Sequence, residues 1–259
     1  MKTRIIIVCI VTVVVIATCF FLFFNPFSNL FSSNKPIQIK VGHSMFDYPP
    51  LHYRDSSMLV GFDIELAEAV ANIINAEIEF VPIDWSNSME ILEAGEVDVL
   101  WGGLERASLD ESRVRFTRSY LSSNIVLLMP ADRDYSEFAD LEGLNVCALN
   151  FTPAFNYLQV YNRDVIKSSR SFTPPEYQSL MGSLSSGEFD CMITDTSFAS
   201  FFLRMNPGGA FRMSDTVLGS NYAVGVRVGD TELFDLIQGA LDELQADGTI
   251  DSLQAKWIG

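Results

Sequence analysis

Two acidic side chains, Glu105 and Asp195, are the clearest candidates for chemistry in this sequence. Paired carboxylic acids can act as general acid and general base, but nothing in the spacing of these two favours catalysis. Asp195 ends the strand-like stretch CMITD, where it either faces a ligand cleft or caps the following helix. His43 and His52 are the only histidines, and no Cys-x-x-Cys pair occurs. We therefore expect no enzyme activity, no metal and no cofactor.

The four cysteines fall into two pairs of different kinds. Cys9 and Cys19 lie in an N-terminal apolar run, where they serve as small hydrophobic side chains. Cys147 and Cys191 lie in the apolar stretches VCAL and CMIT. An oxidising compartment would permit a disulfide between this second pair. Two buried free thiols are the simpler alternative, and we favour it.

The N-terminal apolar run extends from Ile5 to Phe24 and is interrupted only by two threonines. At about 1.5 Å per residue, twenty helical residues span roughly 30 Å, the thickness of the hydrocarbon core of a bilayer. Lys2 and Arg4 precede the run, and basic flanks stay in the cytoplasm. We predict that residues 1–36 form a single-pass anchor and tether, with everything after the run outside. A cleaved signal or a lipoprotein are the alternatives.

The charge of the chain excludes one class of partner. Residues 35–259 hold 15 Lys and Arg against 33 Asp and Glu, a formal net charge of −18. Phosphate backbones repel so acidic a body, so we expect no nucleic-acid partner.

Strands and helices alternate along the rest of the chain. Gln38–Val41 and Ile78–Val81 have strand patterns, and Asp63 can cap a helix between them whose apolar residues recur at helical spacing. A last long helix begins near Thr231 and ends at Gly248. Alternation of this kind predicts mostly parallel sheets, which bind ligands outside the carboxyl ends of their strands.

A short internal repeat indicates two similar halves. Leu92–Val99 (LEAGEVDV) recurs as Leu184–Cys191 (LSSGEFDC), 92 residues later. Each copy contains the end of a helix, a glycine that stops it, a glutamate and an aspartate after that glycine, and the start of a buried strand. Two similar α/β lobes explain this pattern better than one continuous sheet.

Five segments, in this order, resemble the polar amino-acid family of bacterial solute-binding proteins, extracellular family 3: VGHSMFDYPPLHY, LVGFDIELAEAV, LEAGEVDVLWGG, FDCMITD and ELQADGTIDSLQAKWIG. The resemblance covers nearly all of residues 38–259. It implies an α/β fold of the type 2 periplasmic-binding-protein kind, a two-lobed clamshell. Lobe 1 would comprise residues 37–124 and 221–259, and lobe 2 residues 125–220. The crossings Ile125–Pro130 and Ser220–Val226 are then the hinge candidates.

The resemblance also implies a ligand site. The family holds an amino acid between aromatic side chains, with an Arg on its carboxylate and an Asp on its ammonium group. Trp85, in the polar loop DWSN, aligns with one aromatic wall, and Tyr48 or Phe46 supplies the other. Thr152 stands where a hydroxyl and backbone N–H at a helix start meet the carboxylate. Asp195 matches the ammonium-binding Asp.

Departures from the family pattern change the expected ligand. Asp110 stands where the family has its carboxylate-binding Arg, and Glu105 stands where a small hydroxyl residue is common. Either Arg106 or Arg113 takes over the carboxylate, or Glu105–Arg106 and Asp110–Arg113 are surface ion pairs of little energy. The acidic residues favour a cationic or amine-bearing ligand, and loss of ligand binding is the other reading.

We therefore expect a small polar solute to be bound outside the cytoplasm and delivered to an ABC-type permease. The alternative is a tethered sensor or accessory module that acts through a membrane partner. A cyclohexadienyl-dehydratase-like enzyme shares the fold, but the stretch Asn150–Phe155 lacks the acid that such an enzyme needs. We expect a monomer anchored at the periplasmic face of the inner membrane.

Overall fold

The computed structural model describes residues 35–106, 109–150, 152–161, 168–172 and 177–259. The predicted membrane span, residues 5–24, lies outside these ranges. Within them, no helix has both the length and the apolar character needed to cross a membrane. Residues 37–259 form one compact unit.

The described strands, in chain order, are Ile37–Ser44 (β1), Tyr53–Asp55 (β2), Met58–Val60 (β3), Ala76–Ile83 (β4), Val99–Leu100 (β5), Val114–Phe116 (β6), Leu121–Ser122 (β7), Ile125–Pro130 (β8), Asn145–Leu149 (β9), Ser168–Phe172 (β10), Cys191–Asp195 (β11), Phe211–Met213 (β12), Asn221–Tyr222 (β13) and Gly225–Arg227 (β14). The α-helices are Phe62–Ile74 (α1), Ser88–Glu93 (α2), Pro153–Tyr161 (α3), Tyr177–Ser185 (α4), Thr196–Met205 (α5), Thr231–Ala246 (α6) and Thr249–Trp257 (α7). Within the described ranges, 3₁₀-helices cover Trp85–Asn87 and Phe138–Leu141.

Two five-stranded sheets organise these elements, and they share one topology. The first has the order β4-β1-β5-β14-β6 and the second β10-β9-β11-β8-β12. In each, the first three strands are parallel and the last two pairings are antiparallel. This α/β architecture is the one expected from the alternating pattern. The strands β8, β9 and β11 are almost wholly buried, which accounts for their continuous apolar sequences.

The internal repeat has a structural cause. Gly95 and Gly187 end their helices at φ values of 75° and 74°. Three residues later, the Asp98 carboxylate accepts the backbone N–H of Lys40 at 2.8 Å, and the Asp190 carboxylate accepts that of Asn145 at 2.9 Å. Asp98 therefore links the start of β5 to β1, and Asp190 links the start of β11 to β9. The two copies of the repeat make equivalent contacts in the two sheets.

One predicted helix cap was wrong. Helix α1 begins at Phe62 with Gly61 as its N-cap, so Asp63 lies inside the first turn. Its carboxylate is buried and accepts the N–H of Gly103 at 2.8 Å. Asp63 thus ties the helix to the loop after β5 instead of capping its own helix.

The chain passes between the two sheets at a small two-stranded ribbon. Strands β7 and β13 pair antiparallel, with Tyr222 opposite Leu121. The first predicted hinge, Ile125–Pro130, is strand β8 and lies inside the second sheet. The second, Ser220–Val226, contains β13 and most of β14. The ribbon β7–β13 is therefore a shorter hinge candidate than either of the two predicted segments.

The structure agrees with the favoured interpretation of Cys147 and Cys191, two thiols: both are buried, and neither forms a disulfide. They lie on the adjacent strands β9 and β11. Burial raises the pKa of the Cys191 thiol to about 12, so it stays protonated at neutral pH.

Candidate functional site

A cavity of about 300 Å³ opens between the loops that follow the strands of the two sheets. One wall comes from residues that precede or follow β5, and the other from the start of α3. Its lining residues are Trp85, Ser86, Ser88, Met89, Gly103, Glu105, Leu109, Thr152, Pro153, Phe155 and Asn156. Three of the six predicted site residues, Trp85, Glu105 and Thr152, are in this group. The volume is at the small end of the range for ligand pockets.

Trp85 is positioned by a short capped helix. The Asp84 carboxylate accepts the backbone N–H of Ser86 at 3.0 Å and its hydroxyl at 2.7 Å. This caps the 3₁₀-helix Trp85–Asn87, which leads directly into α2. The indole is half-buried, so part of its surface remains available to a ligand.

Glu105 is the charged group of the cavity wall. Its side chain is only 7% exposed, and the Ser220 hydroxyl donates to one carboxylate oxygen at 2.7 Å. Burial raises the pKa of the Glu105 carboxyl, while the Ser220 hydroxyl opposes the rise. A bound cation would favour the ionised form and would be held strongly by it.

The segment before Glu105 has little room for side chains. Gly103 has a φ of +66°, and a Cβ at this position would lie 2.9 Å from both Leu51 Cδ1 and Tyr48 Cε1. The glycine therefore lets the chain pass close to the Tyr48 loop before it reaches the cavity.

Thr152 caps its own helix. Its hydroxyl donates to the Leu149 carbonyl at 2.8 Å and accepts the N–H of Phe155 at 3.2 Å. The side chain is 4% exposed, so it contributes to the cavity wall with its hydroxyl already engaged.

Tyr48 and Asp195 contact each other, and neither is among the residues that line the cavity. The Tyr48 hydroxyl donates to Asp195 Oδ2, and the Ser123 hydroxyl donates to Oδ1 at 2.7 Å. The N–H groups of Ser197 and Phe198 also donate to Oδ1, at 3.0 and 3.1 Å, so Asp195 caps α5 as the alternative reading held. Burial raises the pKa of Asp195 and raises that of Tyr48 well above its usual value.

The sixth predicted residue, Arg106, lies at the surface. Its guanidinium pairs with Glu111 at 2.8 Å, and both side chains are more than half exposed. Arg113 pairs with Glu93 at 2.6 Å and with Glu90 at 3.3 Å. Neither alternative for these arginines is found among the described residues: both guanidinium groups form surface ion pairs, but with glutamates other than Glu105 and not with Asp110.

Asp110 does not face the cavity either. It is exposed, and its carboxylate accepts the N–H of Ser112 at 2.8 Å. This bond, together with the Ser112 side chain, lowers the pKa of Asp110. Of the three acidic residues that favoured a cationic ligand, Glu105 alone is among the described residues that line the cavity.

Several residues of this region were not predicted. Ser123 and Ser197 surround Asp195, and Tyr222 contacts the Tyr48 hydroxyl at 3.2 Å. Ser220 and Tyr222 were visible as polar residues in the crossing stretch SNYAVGV. The sequence signal that could have placed Ser220 and Tyr222 near the site was their position in this predicted crossing between the two lobes.

The comparisons with known proteins agree with the fold. The sequence profile of the bacterial extracellular solute-binding proteins, family 3, matches residues 39–259. The chain belongs to this family. Members of the family are substrate-binding proteins of the extracytoplasmic space, and the fold is the periplasmic-binding-protein-like α/β fold.

The relatives and solved structures that resemble this chain are also amino-acid-binding proteins. ABC transporter arginine-binding protein 1 of Escherichia coli K12 is 26% identical over 216 residues, covering 82% of this chain and 87% of the relative. The glutamate-binding protein GluB of Corynebacterium glutamicum is 28% identical, covering 85% and 78%. An ancestral arginine-binding protein bound to arginine is 28% identical with a TM-score of 0.73, covering 86% of this chain and 98% of that structure. The chain is therefore a solute-binding protein similar to amino-acid-binding components of ABC transporters.

Proposed function

We propose that this protein binds a small amine-bearing solute in the cavity between its two sheets and delivers it to an ABC-type permease. The observation that carries the proposal is the cavity itself. It brings Trp85, Glu105 and Thr152 together at the carboxyl edges of both sheets in a member of a solute-binding family. Trp85 supplies an aromatic surface, Glu105 a carboxylate for the amine, and Thr152 the opposite wall.

Movement of the two sheets relative to each other would admit and release the solute. The proposed lobes comprise residues 37–124 with 221–259, and residues 125–220. Support comes from the matching strand order of the two sheets and from the ribbon β7–β13, through which the chain crosses twice. A permease would recognise the closed, loaded form.

We further propose that the protein acts as a monomer held at the outer face of the cytoplasmic membrane. The apolar run of residues 5–24 and its basic flank support this placement. We propose no catalytic step, because the family consists of substrate-binding proteins.

Thermal unfolding of the purified full chain in detergent tests the proposal. Bound solute is first removed by unfolding and refolding, and the panel includes neutral, acidic and basic amino acids, monoamines and polyamines. A ligand at about 100 times its dissociation constant adds roughly 2.7 kcal/mol, which raises the Tm by roughly 5–10 °C for a chain of this size. If no member of the panel raises the Tm, the proposed binding role is wrong.

Delivery to a permease needs a separate experiment. The detergent-solubilised chain is crosslinked in the presence and absence of the solute found by the panel. We expect recovery of an ABC permease with solute present. Recovery of a sensor kinase or receptor, with no permease, would favour the sensing alternative.

A further inference from the structure

Three aromatic side chains connect parts of the chain that belong to different proposed lobes. The Tyr53 ring contacts the other two, with its centroid 5.8 Å from that of Phe201 and 6.2 Å from that of Trp257. Tyr53 begins β2 and Trp257 ends α7, both in proposed lobe 1, whereas Phe201 lies in α5 of proposed lobe 2. This aromatic cluster (Tyr53, Phe201 and Trp257) is therefore a contact between the lobes.

The aromatic cluster is separate from the cavity. None of its three residues is among the described residues that line the cavity wall. A substitution in the cluster therefore removes no group from the described wall. An effect of such a substitution on solute binding would have to act through the arrangement of the lobes.

On the side of lobe 2, helix α5 carries two contacts to lobe 1. Phe202 is buried and packs on Phe211 of β12, with 5.1 Å between the ring centroids, which fixes the helix to its own lobe. Phe201 contacts Tyr53 of lobe 1, and the Arg204 guanidinium, three residues later, donates to the backbone carbonyl of Trp257. Residues three apart lie on the same side of a helix, so both contacts arise from one helix face.

On the side of lobe 1, both aromatic residues are attached to elements around α1. Lys256, beside Trp257 in α7, pairs with Glu65 of α1 at 2.5 Å. Tyr53 begins β2, whose antiparallel partner β3 leads directly into α1. Tyr53 and Trp257 should therefore move together with lobe 1.

The position of the cluster along α5 makes it sensitive to movement of the lobes. The start of α5 is joined to the segment after β7, because the N–H of Thr196 donates to the carbonyl of Asn124 at 2.8 Å. At about 1.5 Å per residue, Phe201 lies roughly 8 Å along the helix from Thr196, and Arg204 roughly 12 Å. A rotation of the lobes about the ribbon would displace these side chains more than it displaces the start of the helix. Hydrogen bonds and ring contacts do not survive displacements of a few ångströms.

We infer that the aromatic cluster holds the two proposed lobes in the arrangement that binds solute, and so raises the affinity for solute without touching it. This inference rests on the proposed function and adds a determinant of affinity outside the cavity. In this structure the cluster occurs together with the Tyr48–Asp195 hydrogen bond, which also joins the two sheets. A contact that is made in the binding arrangement and lost in an open one increases the population of the binding arrangement, and the apparent dissociation constant falls accordingly.

Removal of the Phe201 ring tests the inference. Isothermal titration calorimetry of the stripped full chain in detergent compares wild type with Phe201→Ala, using every solute that raises the Tm in the panel. We expect binding to weaken about three- to tenfold, the factor that corresponds to the loss of one aromatic pair. Where two solutes bind, both affinities should fall by the same factor, because the variant changes the population of an arrangement and not the cavity.

A second variant removes the ring from the other lobe. Tyr53→Leu should weaken binding to a similar extent, and adding Phe201→Ala to it should cost less than about twofold more, because both changes act on one contact. Met205→Ala is the matched control: this residue lies on the same helix and is 65% exposed, so its affinity should equal that of wild type. The Tm of each stripped variant checks that it folds. If Phe201→Ala does not fold, Phe201→Leu, which keeps an apolar side chain, replaces it.

The possible failures are distinct. If the folded Phe201 variant binds solute as tightly as wild type, the inference is wrong and the proposed function stands. The same conclusion follows if the two losses add fully in the double variant, or if Met205→Ala weakens binding as much as Phe201→Ala. If no solute of the panel binds wild type, the proposed function fails, and the inference fails with it.

Discussion

The contact between Tyr48 and Asp195 joins the two sheets through a single hydrogen bond. Tyr48 follows β1 in the first sheet, and Asp195 ends β11 in the second. The negative charge of Asp195 is already stabilised by the N-terminus of α5. The Tyr48 hydroxyl therefore supplies the hydrogen bond to Oδ2 of a buried carboxylate that lies at the boundary between the sheets.

Tyr48→Phe should destabilise the protein. The change removes one donor from a carboxylate that stays buried, at a cost of about 1–3 kcal/mol in the free energy of unfolding. Urea denaturation of the stripped protein measures this loss. Tyr222→Phe is the matched control, because it removes a buried phenol hydroxyl but leaves the four described donors to Asp195 in place. Equal losses in the two variants would contradict the role given to Tyr48.

At the scale of elements, the aspartate of each repeat copy, Asp98 or Asp190, extends a short pairing between two strands through its own hydrogen bonds. Strand β11 pairs with β9 over few residues, and Asp190 extends the join by accepting the N–H of Asn145 while its own N–H donates to the Asn145 carbonyl at 2.8 Å. Asp98 has the same two bonds with Lys40 in the first sheet. Side chain and backbone together thus align each central strand with its neighbour.

Asp190→Ala should therefore lower the free energy of unfolding by about 1 kcal/mol, because the N–H of Asn145 loses its acceptor. Asp190→Asn keeps an acceptor oxygen and should recover most of the loss. Chemical denaturation of the three proteins gives the comparison. A loss in the Asn variant as large as in the Ala variant would show that charge, and not this hydrogen bond, matters.

The elements could be predicted from the sequence to different degrees. The apolar stretch VCAL forms most of strand Asn145–Leu149, because a buried inner strand is a continuous apolar run. The helix at Thr231 was also visible from its periodicity. Asp63 was misassigned as a cap, because its partner Gly103 is 40 residues away and no local pattern reveals such a bond.

The same limit applies to the candidate site. Trp85, Glu105 and Thr152 were assigned to the site through the family resemblance, and all three line one cavity. Arg106 follows Glu105 directly, yet its guanidinium pairs with Glu111 at the surface while the Glu105 carboxylate is buried. Which side is the inner one depends on the tertiary packing.

For the whole molecule, buried carboxyl groups set the expected dependence of stability on pH. Asp63, Glu105 and Asp195 are each less than 9% exposed, and burial raises the pKa of all three. A group whose pKa is raised on folding binds its proton more tightly in the folded state. Its contribution to stability is fully present at acidic pH and is lost as the pH rises.

Asp63 gives the sharpest test of this dependence. Burial raises its pKa from 3.8 to about 7, although the Tyr120 hydroxyl, the N–H of Gly103 and the Trp101 indole oppose the rise. Between about pH 4 and pH 7 the free energy of unfolding should fall by up to about 4 kcal/mol through this group, at about 1.4 kcal/mol per pH unit. Asp63→Asn stays neutral and retains an acceptor for Gly103, so this part of the slope should disappear.

Urea denaturation of wild type and Asp63→Asn at intervals from pH 4 to pH 8 measures the difference. The two curves should converge near pH 4 and separate as the pH rises, with the variant the more stable at pH 8. Asp132→Asn, at the exposed surface, should remain parallel to wild type throughout. Parallel curves for Asp63→Asn would mean that the carboxylate is ionised and stabilised in the fold. Since Gly103 lies in the cavity wall, the charge of Asp63 would then stabilise the wall itself.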